Sequence, residues 1–284
     1  MLIMIVAVPN KGRLSQPSLD LLASAGIKPE LSDRKLIVTT NNPDISILLA
    51  RAKDIPEIVA LNAAQVGITG LDLVLETKAD VEVVMKLGFG KAKLVVAVPN
   101  NSNIKTIYDL NHKKVATEFV EITKNFFKDK GINVSIVKLT GACENAPLIG
   151  LADAIVDLAS TGTTLKMNNL RVVDEILETE AVLIVNKNEL NNFKVKALIT
   201  AIKGVLNAKK MVYIMMNVPE EAFERIKNIV PGLKGPTVMK VEAKEPTLAV
   251  HVVVSEDVLF ETIEKLKQAG ARDILIIPIQ RLIF

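Results

Sequence analysis

Cysteine, histidine and tryptophan are scarce in this chain of 284 residues, which has one Cys, two His and no Trp. A single cysteine, Cys143, cannot form an internal disulfide. One Cys and two His residues are also too few for a Cys/His zinc cluster. Cys143 has no histidine near it in sequence, so a buried structural cysteine is a better interpretation than a thiol nucleophile. This usage fits a reducing compartment, and we expect a cytoplasmic protein.

Charge of one sign and long apolar runs are also missing. Lys and Arg number 35 against 32 Asp and Glu, giving a net charge of +3, and both signs are interspersed along the chain. The chain has no basic block of the kind that binds nucleic acid, and a small anionic ligand explains the slight excess of positive charge equally well. The apolar stretches Met1–Pro9 and Leu248–Val254 fall far short of the ~20 residues of a membrane helix. We therefore expect neither a nucleic-acid nor a membrane partner.

Short apolar runs alternate with helical patterns over the first two thirds of the chain. This alternation predicts an α/β fold with largely parallel sheets. Strands are predicted at Leu2–Val8, Val66–Gly70, Leu94–Val98, Lys114–Thr117, Val134–Leu139 and Ala154–Leu158, and helices at Ser15–Gly26, Asp54–Gln65 and Val120–Lys130.

The order of elements changes after about residue 208. The pattern from there is βαββαβ, which predicts a separate ferredoxin-like domain. Ser255 is predicted to cap the second helix of this domain. The predicted elements are strands Met211–Asn217, Thr237–Glu242, Leu248–Val254 and Asp273–Ile279, and helices Pro219–Ile229 and Glu256–Gly270.

A hydroxyl-rich loop follows the predicted strand Ala154–Leu158. Ser160, Thr161, Thr163 and Thr164 surround Gly162 there, ahead of a short helix. Gly162 permits the backbone to turn inward, so that N–H groups and hydroxyls could wrap a phosphate. An ordinary polar strand-to-helix turn is the alternative.

Two acidic residues, Asp153 and Asp157, lie four apart on this strand and face the same side, which favours a ligand role over a solvated strand end.

A second loop places two cations around a glycine directly after the first strand, as Lys11-Gly12-Arg13. Ligands of open α/β sheets bind beyond the carboxyl ends of strands, so these cations could neutralise phosphates, or could form a solvated turn. Arg51 and Asp72 occupy similar positions and carry the same two interpretations. Glu144, beside Cys143, could act as a base or a hydrogen-bond acceptor, whereas His112 and His251 receive no catalytic role.

Taken together, these segments resemble the ATP phosphoribosyltransferase family in its long, self-regulated form. The strongest match runs from Glu144-Asn145-Ala146-Pro147 through Gly150–Leu158 to Ser160–Leu165. The resemblance spans the whole chain and includes Val6–Leu14, Arg51–Pro56, Gly67–Asp72, Leu87–Gly90, Met215–Pro219, Pro231–Leu233 and Pro236–Val238.

The resemblance implies a two-lobed catalytic core like the periplasmic binding proteins, plus a C-terminal ferredoxin-like (ACT-like) βαββαβ regulatory domain. The implied boundaries are residues 1–92 with 182–207 for lobe I, 93–181 for lobe II and 208–284 for the regulatory domain. Family membership also implies transfer of the phosphoribosyl group of phosphoribosyl pyrophosphate (PRPP) to N1 of the ATP adenine, with release of pyrophosphate, as the first step of histidine biosynthesis. It further implies Mg²⁺ held mainly by substrate oxygens, with no dedicated protein metal site, as well as feedback inhibition by histidine and a homo-hexamer in exchange with a dimer.

The same resemblance implies roles for individual residues. Ser160, Thr161, Gly162, Thr163 and Thr164 would hold the 5-phosphate of PRPP. Asn217 stands where some members carry an aspartate facing the effector. The catalytic group would be Asp153, Asp157 and Glu144, the ATP site Lys11, Gly12, Arg13, Arg51 and Asp72, and the regulatory histidine site Asn217, Thr237 and Asp273.

A non-catalytic small-molecule sensor for histidine on the same two-lobed fold is the alternative function. Such a sensor should have an eroded loop at Ser160–Thr164, and the loop is intact.

Overall fold

The computed structural model describes residues 3–30, 35–160, 162–230, 232–233 and 235–284. The chain divides into two compact units, the first of Met1–Asp20 with Ile27–Val195 and the second of Leu21–Gly26 with Lys196–Phe284. Within the described ranges, every helix is too short or too polar to cross a membrane.

Strands and helices alternate along the first unit. The strands are β1 (Met4–Pro9), β2 (Ile37–Thr39), β3 (Ile45–Ala50), β4 (Val66–Gly70), β5 (Val81–Lys86), β6 (Ala92–Pro99), β7 (Lys114–Thr117), β8 (Ser135–Lys138), β9 (Ala154–Ala159), β10 (Leu170–Thr179) and β11 (Ala181–Asn186). The helices up to residue 208 are α1 (Ser15–Ser24), α2 (Ile55–Ala60), α3 (Leu71–Thr77), α4 (Val120–Asp129), α5 (Thr163–Met167) and α6 (Phe193–Ala208). The end of α1 and most of α6 belong to the second unit.

Two mixed sheets form the first unit. The first has the order β2-β3-β1-β4-β11-β5, with β1 parallel to β3 and β4 and with β11 antiparallel to its neighbours. The second has the order β10-β6-β9-β7-β8, with β7 parallel to β8 and β9 and with β6 antiparallel to β9 and β10. The chain passes from the first sheet to the second between β5 and β6 and returns between β10 and β11.

Both faces of the second sheet are covered. Leu94, Val96 and Val98 of β6 pack into one apolar cluster with α4, and the intervening Val95 and Ala97 pack into another beneath α5. Burial on both faces explains why β6 reads as a continuous apolar run instead of an alternating one.

The second unit contains a four-stranded antiparallel sheet in the order β13-β14-β12-β15. Alternate residues of β12 are buried against its helices, from Val212 to Val218. The elements are β12 (Met211–Pro219), α7 (Phe223–Ile229), β13 (Thr237–Val241), β14 (Thr247–Ser255), α8 (Leu259–Gln268) and β15 (Arg272–Pro278). This is the order and topology of a ferredoxin-like βαββαβ domain, which confirms the predicted fold.

Three sequence-based expectations differ from the structure. The sheets are mixed instead of largely parallel, because β10 and β11 return against their neighbours. α2 ends at Ala60, since Asn62 adopts a left-handed φ of 57°. Ser255 precedes a 3-10 turn instead of α8 and forms no side-chain cap. The domain boundaries near residues 93, 182 and 208 stay a prediction.

Candidate active site

A cleft of about 700 Å³ opens in the first unit, at the carboxyl ends of strands of both sheets. Loops after β1, β3 and β4 supply one part of its lining, and residues at the ends of β7, β8 and β9 supply the other. Such strand ends are where α/β sheets bind ligands. The lining residues are Asn10, Lys11, Gly12, Arg13, Leu14, Arg51, Ala52, Lys53, Gly70, Asp72, Leu73, Glu118, Phe119, Thr140 and Leu158.

Four cations line the first-sheet side of the cleft: Lys11, Arg13, Arg51 and Lys53. All four are exposed, and within the described ranges none of them forms an ion pair with a carboxylate. Gly12 holds the first loop in its turn with a φ of 81°, a conformation that a side chain would strain. The arrangement leaves four positive charges available to an anionic ligand.

Asp72 lies in the same cleft, as predicted, but its carboxylate is engaged. It is 2% exposed, and its Oδ1 accepts a hydrogen bond of 2.6 Å from the hydroxyl of Thr179 at the end of β10. The Thr179 hydroxyl accepts a second bond of 3.0 Å from the Asp72 N–H. This pair joins the start of α3 to the segment where the chain returns to the first sheet.

Three carboxylates and a thiol form an acidic cluster on the second-sheet side: Glu118, Glu144, Asp157 and Cys143. Burial raises the pKa of the Asp157 carboxyl, and the charges of Glu144 and Glu118 raise it further, against a hydrogen bond of 2.7 Å from the Leu158 N–H. Burial first, and then the same carboxylates with Asp157, raise the pKa of Cys143 to about 11. The thiol is therefore protonated at neutral pH, in agreement with a structural role.

The hydroxyl-rich loop follows β9 directly and ends in α5. Gly162 is the residue before α5, with a φ of 71°, and Thr163 and Thr164 begin the helix with exposed side chains. Leu165 anchors the helix in the apolar cluster beneath the sheet. Thr161 lies outside the described residues. Ser160 is exposed and lines a smaller hollow of about 310 Å³ together with Lys91 and Thr179.

Asp153 lies away from this loop. It precedes β9, and its carboxylate accepts a hydrogen bond of 2.9 Å from the Lys114 N–H at the start of β7. At about 3.3 Å per strand residue it is roughly 23 Å from Ser160. Asp153 thus lies just before β9 and Asp157 in its second half, and the structure places only Asp157 near the loop.

Glu144 borders a separate hollow of about 590 Å³ in addition to its place in the acidic cluster. This second hollow is lined by Pro99, Asn100, Asn101, Glu144, Pro147, Leu148, Met167, Asn168, Asn169 and Leu170.

Sequence reasoning missed Glu118, Phe119, Thr140 and Leu73 as cleft residues. Glu118 and Thr140 could have been found, because they follow β7 and β8 and the same strand-end rule applies to them. Leu73 gave no signal, since an apolar residue in a helix reads as core.

In the second unit the structure brings two of the three predicted effector residues together. The Asn217 side-chain amide donates a hydrogen bond of 2.9 Å to the Asp273 carboxylate. Thr237 lies on β13, which is two strands from β12 and three from β15, so across the sheet it is about 10 Å from the strand of Asn217 and about 14 Å from that of Asp273. Its partner in the ladder is His251, whose Nδ1 lies 2.9 Å from the Tyr213 hydroxyl.

The chain is similar to known proteins over nearly its whole length. The sequence profile of the family described as ATP phosphoribosyltransferase matches residues 51–204, and the profile of that family's C-terminal domain matches residues 208–281. ATP phosphoribosyltransferase of Methanococcoides burtonii is 50% identical over 281 residues, covering 98% of this chain and 99% of the relative. That of Methanocaldococcus jannaschii is 46% identical over 284 residues, with 98% and 99% coverage.

Solved structures give the same picture. The ATP phosphoribosyl transferase (HisG:HisZ) complex from Thermotoga maritima aligns with a TM-score of 0.61 and 28% identity, covering 70% of this chain and 98% of that one. A putative L-cystine ABC transporter protein from Listeria monocytogenes aligns with a TM-score of 0.50 and 14% identity, covering 71% and 89%, and shows the fold alone.

Proposed function

The chain belongs to the ATP phosphoribosyltransferase family, in the long form that carries a C-terminal domain, and from that premise we propose that the cleft of the first unit is where the reaction takes place. The enzyme transfers the phosphoribosyl group of PRPP to N1 of the ATP adenine and releases pyrophosphate, as the first step of histidine biosynthesis. The observation that carries the assignment of the site is that one cleft is lined by four exposed cations without a carboxylate partner among the described residues, by Glu118 and by the end of β9, from which the hydroxyl-rich loop continues.

The cations form the side of the site that binds the polyanionic substrates. ATP and PRPP together bring several negative charges, and the long side chains of Lys11, Arg13 and Arg51 can reach the phosphate groups. Holding both substrates in line replaces a bimolecular encounter by an effectively unimolecular step. We assign Lys11, Gly12, Arg13 and Arg51 to the nucleotide and pyrophosphate groups, with Lys53 as an additional cation.

Ser160, Gly162, Thr163 and Thr164, with Thr161, are assigned to the 5-phosphate of PRPP. Exposed hydroxyls and the backbone of the turn at Gly162 offer donors of the kind that a phosphate accepts. Their place directly after β9 sets the ribose beside Asp157.

The Asp157 carboxylate is suited to stabilise the positive charge that develops on the ribose during transfer. Departure of pyrophosphate leaves a cationic, oxocarbenium-like ribose, and a nearby carboxylate stabilises that charge more than the neutral ground state. Burial and the carboxylates of Glu118 and Glu144 raise the pKa of Asp157, so an approaching cation relieves an unfavourable local charge. Asp153, held by Lys114 at the far end of β9, is left as a positioning residue of the strand.

The family generally uses a divalent metal ion, and we propose Mg²⁺. The described residues contain no group of three or more His, Cys, Asp or Glu side chains arranged to hold a metal. Mg²⁺ keeps water ligands and favours phosphate oxygens, so one or two carboxylates are sufficient, and Asp157 and Glu144 are the hard-oxygen donors that fit it. When bound, it neutralises charge on the leaving pyrophosphate.

The apolar cleft residues Leu73, Phe119 and Leu158 give the adenine a surface on which to pack. Asp72 is close enough to line the cleft, but its bond with Thr179 makes it a residue that shapes the ATP side instead of a free ligand.

We assign feedback inhibition by histidine to the second unit. Asp273 and Asn217 are already joined by a hydrogen bond, and a carboxylate beside an amide is suited to an amino acid's ammonium and carboxylate groups. Thr237 would be reached only by a ligand that spans two strands. The proposal also includes a homo-hexameric protein that exchanges with a dimer. Its location would be cytoplasmic.

The experiment is direct. Purified protein with ATP, PRPP and Mg²⁺ should form phosphoribosyl-ATP and pyrophosphate, detected by mass spectrometry. Thr164→Val, which removes one exposed hydroxyl, should raise the KM for PRPP about tenfold, because a hydrogen bond to a charged group contributes about 1.5–3 kcal/mol. The control Thr77→Val removes an exposed hydroxyl that bonds within α3 and should leave the KM for PRPP unchanged. Absence of product at every histidine concentration, including none, would favour the sensor.

A further inference from the structure

The helix α4 begins beside the cleft without a cap of its own. Its N-cap residue is Phe119, whose side chain makes no capping hydrogen bond, and the first N–H groups of a helix have no partner inside it. Glu118 and Phe119, immediately before the helix, line the cleft on the second-sheet side. The group that accepts hydrogen bonds from the first N–H groups of α4 therefore affects the position of this wall of the cleft.

The missing cap comes from α3, on the first-sheet side. The Glu76 carboxylate accepts hydrogen bonds from the Glu121 N–H, at 3.0 Å to each oxygen, and from the Ile122 N–H at 3.1 Å. A carboxylate at this position also interacts favourably with the dipole of the ten-residue helix. Glu76 thus does from another helix what an N-cap side chain does from within.

Two further contacts reinforce the same junction. The Lys78 ammonium, just after α3, lies 2.8 Å from the Glu121 carboxylate, and its hydrogen bond lowers the pKa of that carboxyl together with Lys124. Leu73 of α3 packs against the apolar cluster of the second sheet that contains Phe119 and Ile122. Leu73 and Phe119 are themselves cleft residues, so the junction and the cleft share their walls.

We propose that Glu76 is a positioning residue of the reaction, which sets the spacing between the α3 and α4 walls of the cleft and thereby the affinity for ATP. Neither it nor Lys78 lines the cleft, so its action is exerted through α4 and Phe119. The inference rests on the proposed function, since it concerns the same cleft. If the junction is broken, the competent spacing is populated only in part, and the apparent affinity falls by that fraction.

The test compares Glu76→Ala with the charge-matched control Glu82→Ala, an exposed residue of β5 outside the cleft. Glu76→Ala should raise the KM for ATP about tenfold while kcat and the KM for PRPP change less than threefold, because the loop after β9 holds the 5-phosphate end of PRPP whatever the spacing between the α3 and α4 walls. Lys78→Gln removes an exposed ion pair and should raise the KM for ATP about twofold. A merely structural role would lower the active fraction, and so kcat, without this split between the two KM values.

Glu76→Gln serves if the alanine variant does not fold. It keeps one acceptor oxygen and should raise the KM for ATP two- to threefold, with faster amide hydrogen exchange at residues 121 and 122. An unchanged KM for ATP in a variant whose 121–122 amides exchange faster would overturn the inference and leave the activity standing. A wild-type protein that forms no product would instead overturn the assignment of the reaction to this cleft.

Discussion

The buried pair of Asp72 and Thr179 allows a prediction worked from two hydrogen bonds. Thr179→Val keeps the shape of the side chain and removes its hydroxyl. The hydrogen bond of 2.6 Å that the Thr179 hydroxyl donates to the Asp72 carboxylate involves a charged group and contributes about 1.5–3 kcal/mol. The bond of 3.0 Å that the same hydroxyl accepts from the Asp72 N–H contributes about 1 kcal/mol. Because both residues are at least 97% buried, water cannot replace either bond in the folded state.

Thr179→Val should therefore lower the free energy of unfolding of the first unit by roughly 2.5–4 kcal/mol. For a unit of this size the melting temperature should fall by about 5–15 °C. Thr179→Ser keeps the hydroxyl and loses one buried methyl group, which costs about 1 kcal/mol. The control Thr77→Val, on the exposed side of α3, should change the free energy by less than about 0.5 kcal/mol.

Calorimetry of the four proteins, with urea titration followed by circular dichroism, measures these differences. The chain has two compact units, so the transition that contains residues 72 and 179 is the one expected to move. Equal stabilities of the valine and serine variants would refute the reasoning, since they would show that the hydroxyl contributes nothing to the buried carboxylate.

Three other predictions follow from the same structure. Cys143, with a pKa raised to about 11, should react with iodoacetamide slowly at pH 7, and its rate in the folded protein should still rise above about pH 10, where an exposed thiol of ordinary pKa has reached its plateau. Asp157→Asn should lower kcat about 10²-fold, yet raise the melting temperature at pH 7. The sign follows because the pKa of Asp157 is raised in the native state, so the carboxyl destabilises the fold progressively as pH rises from its unfolded-state pKa to its native pKa and by a constant amount above that, and the two proteins should converge near pH 3. Histidine should inhibit product formation, and Asp273→Ala should weaken that inhibition about tenfold without changing uninhibited kcat, as measured by titrating histidine into the assay.

The sequence patterns predicted much of the fold where local signals were strong. β7 was predicted with its observed bounds, and the βαββαβ order of the second unit follows from clear strand and helix periods. β10 was missed, because two register shifts, between Val172 and Asp174 and between Glu175 and Leu177, break the alternation that marks a strand. The direction of β11 depends on its neighbours in space, which no local pattern contains.

The candidate site divides in the same way. The cations of the Lys11–Arg13 loop follow a strong strand, so their place in a cleft was predictable from the strand-end rule. The bond between Asp72 and Thr179, 107 positions apart, was not predictable, nor was the cap that Glu76 provides to α4. The spacing of Asp153 and Asp157 predicts a shared face, but it could not show that Asp153 lies just before β9, bonded to the Lys114 N–H, while Asp157 lies towards the loop.

A crystal structure with ATP and PRPP bound tests the central claim most directly. The account predicts the triphosphate against Lys11, Arg13 and Arg51, the 5-phosphate on Ser160 and residues 162–164, and the ribose beside Asp157. Substrates bound instead in the hollow between Pro99 and Leu170, with the cleft cations free, would contradict it.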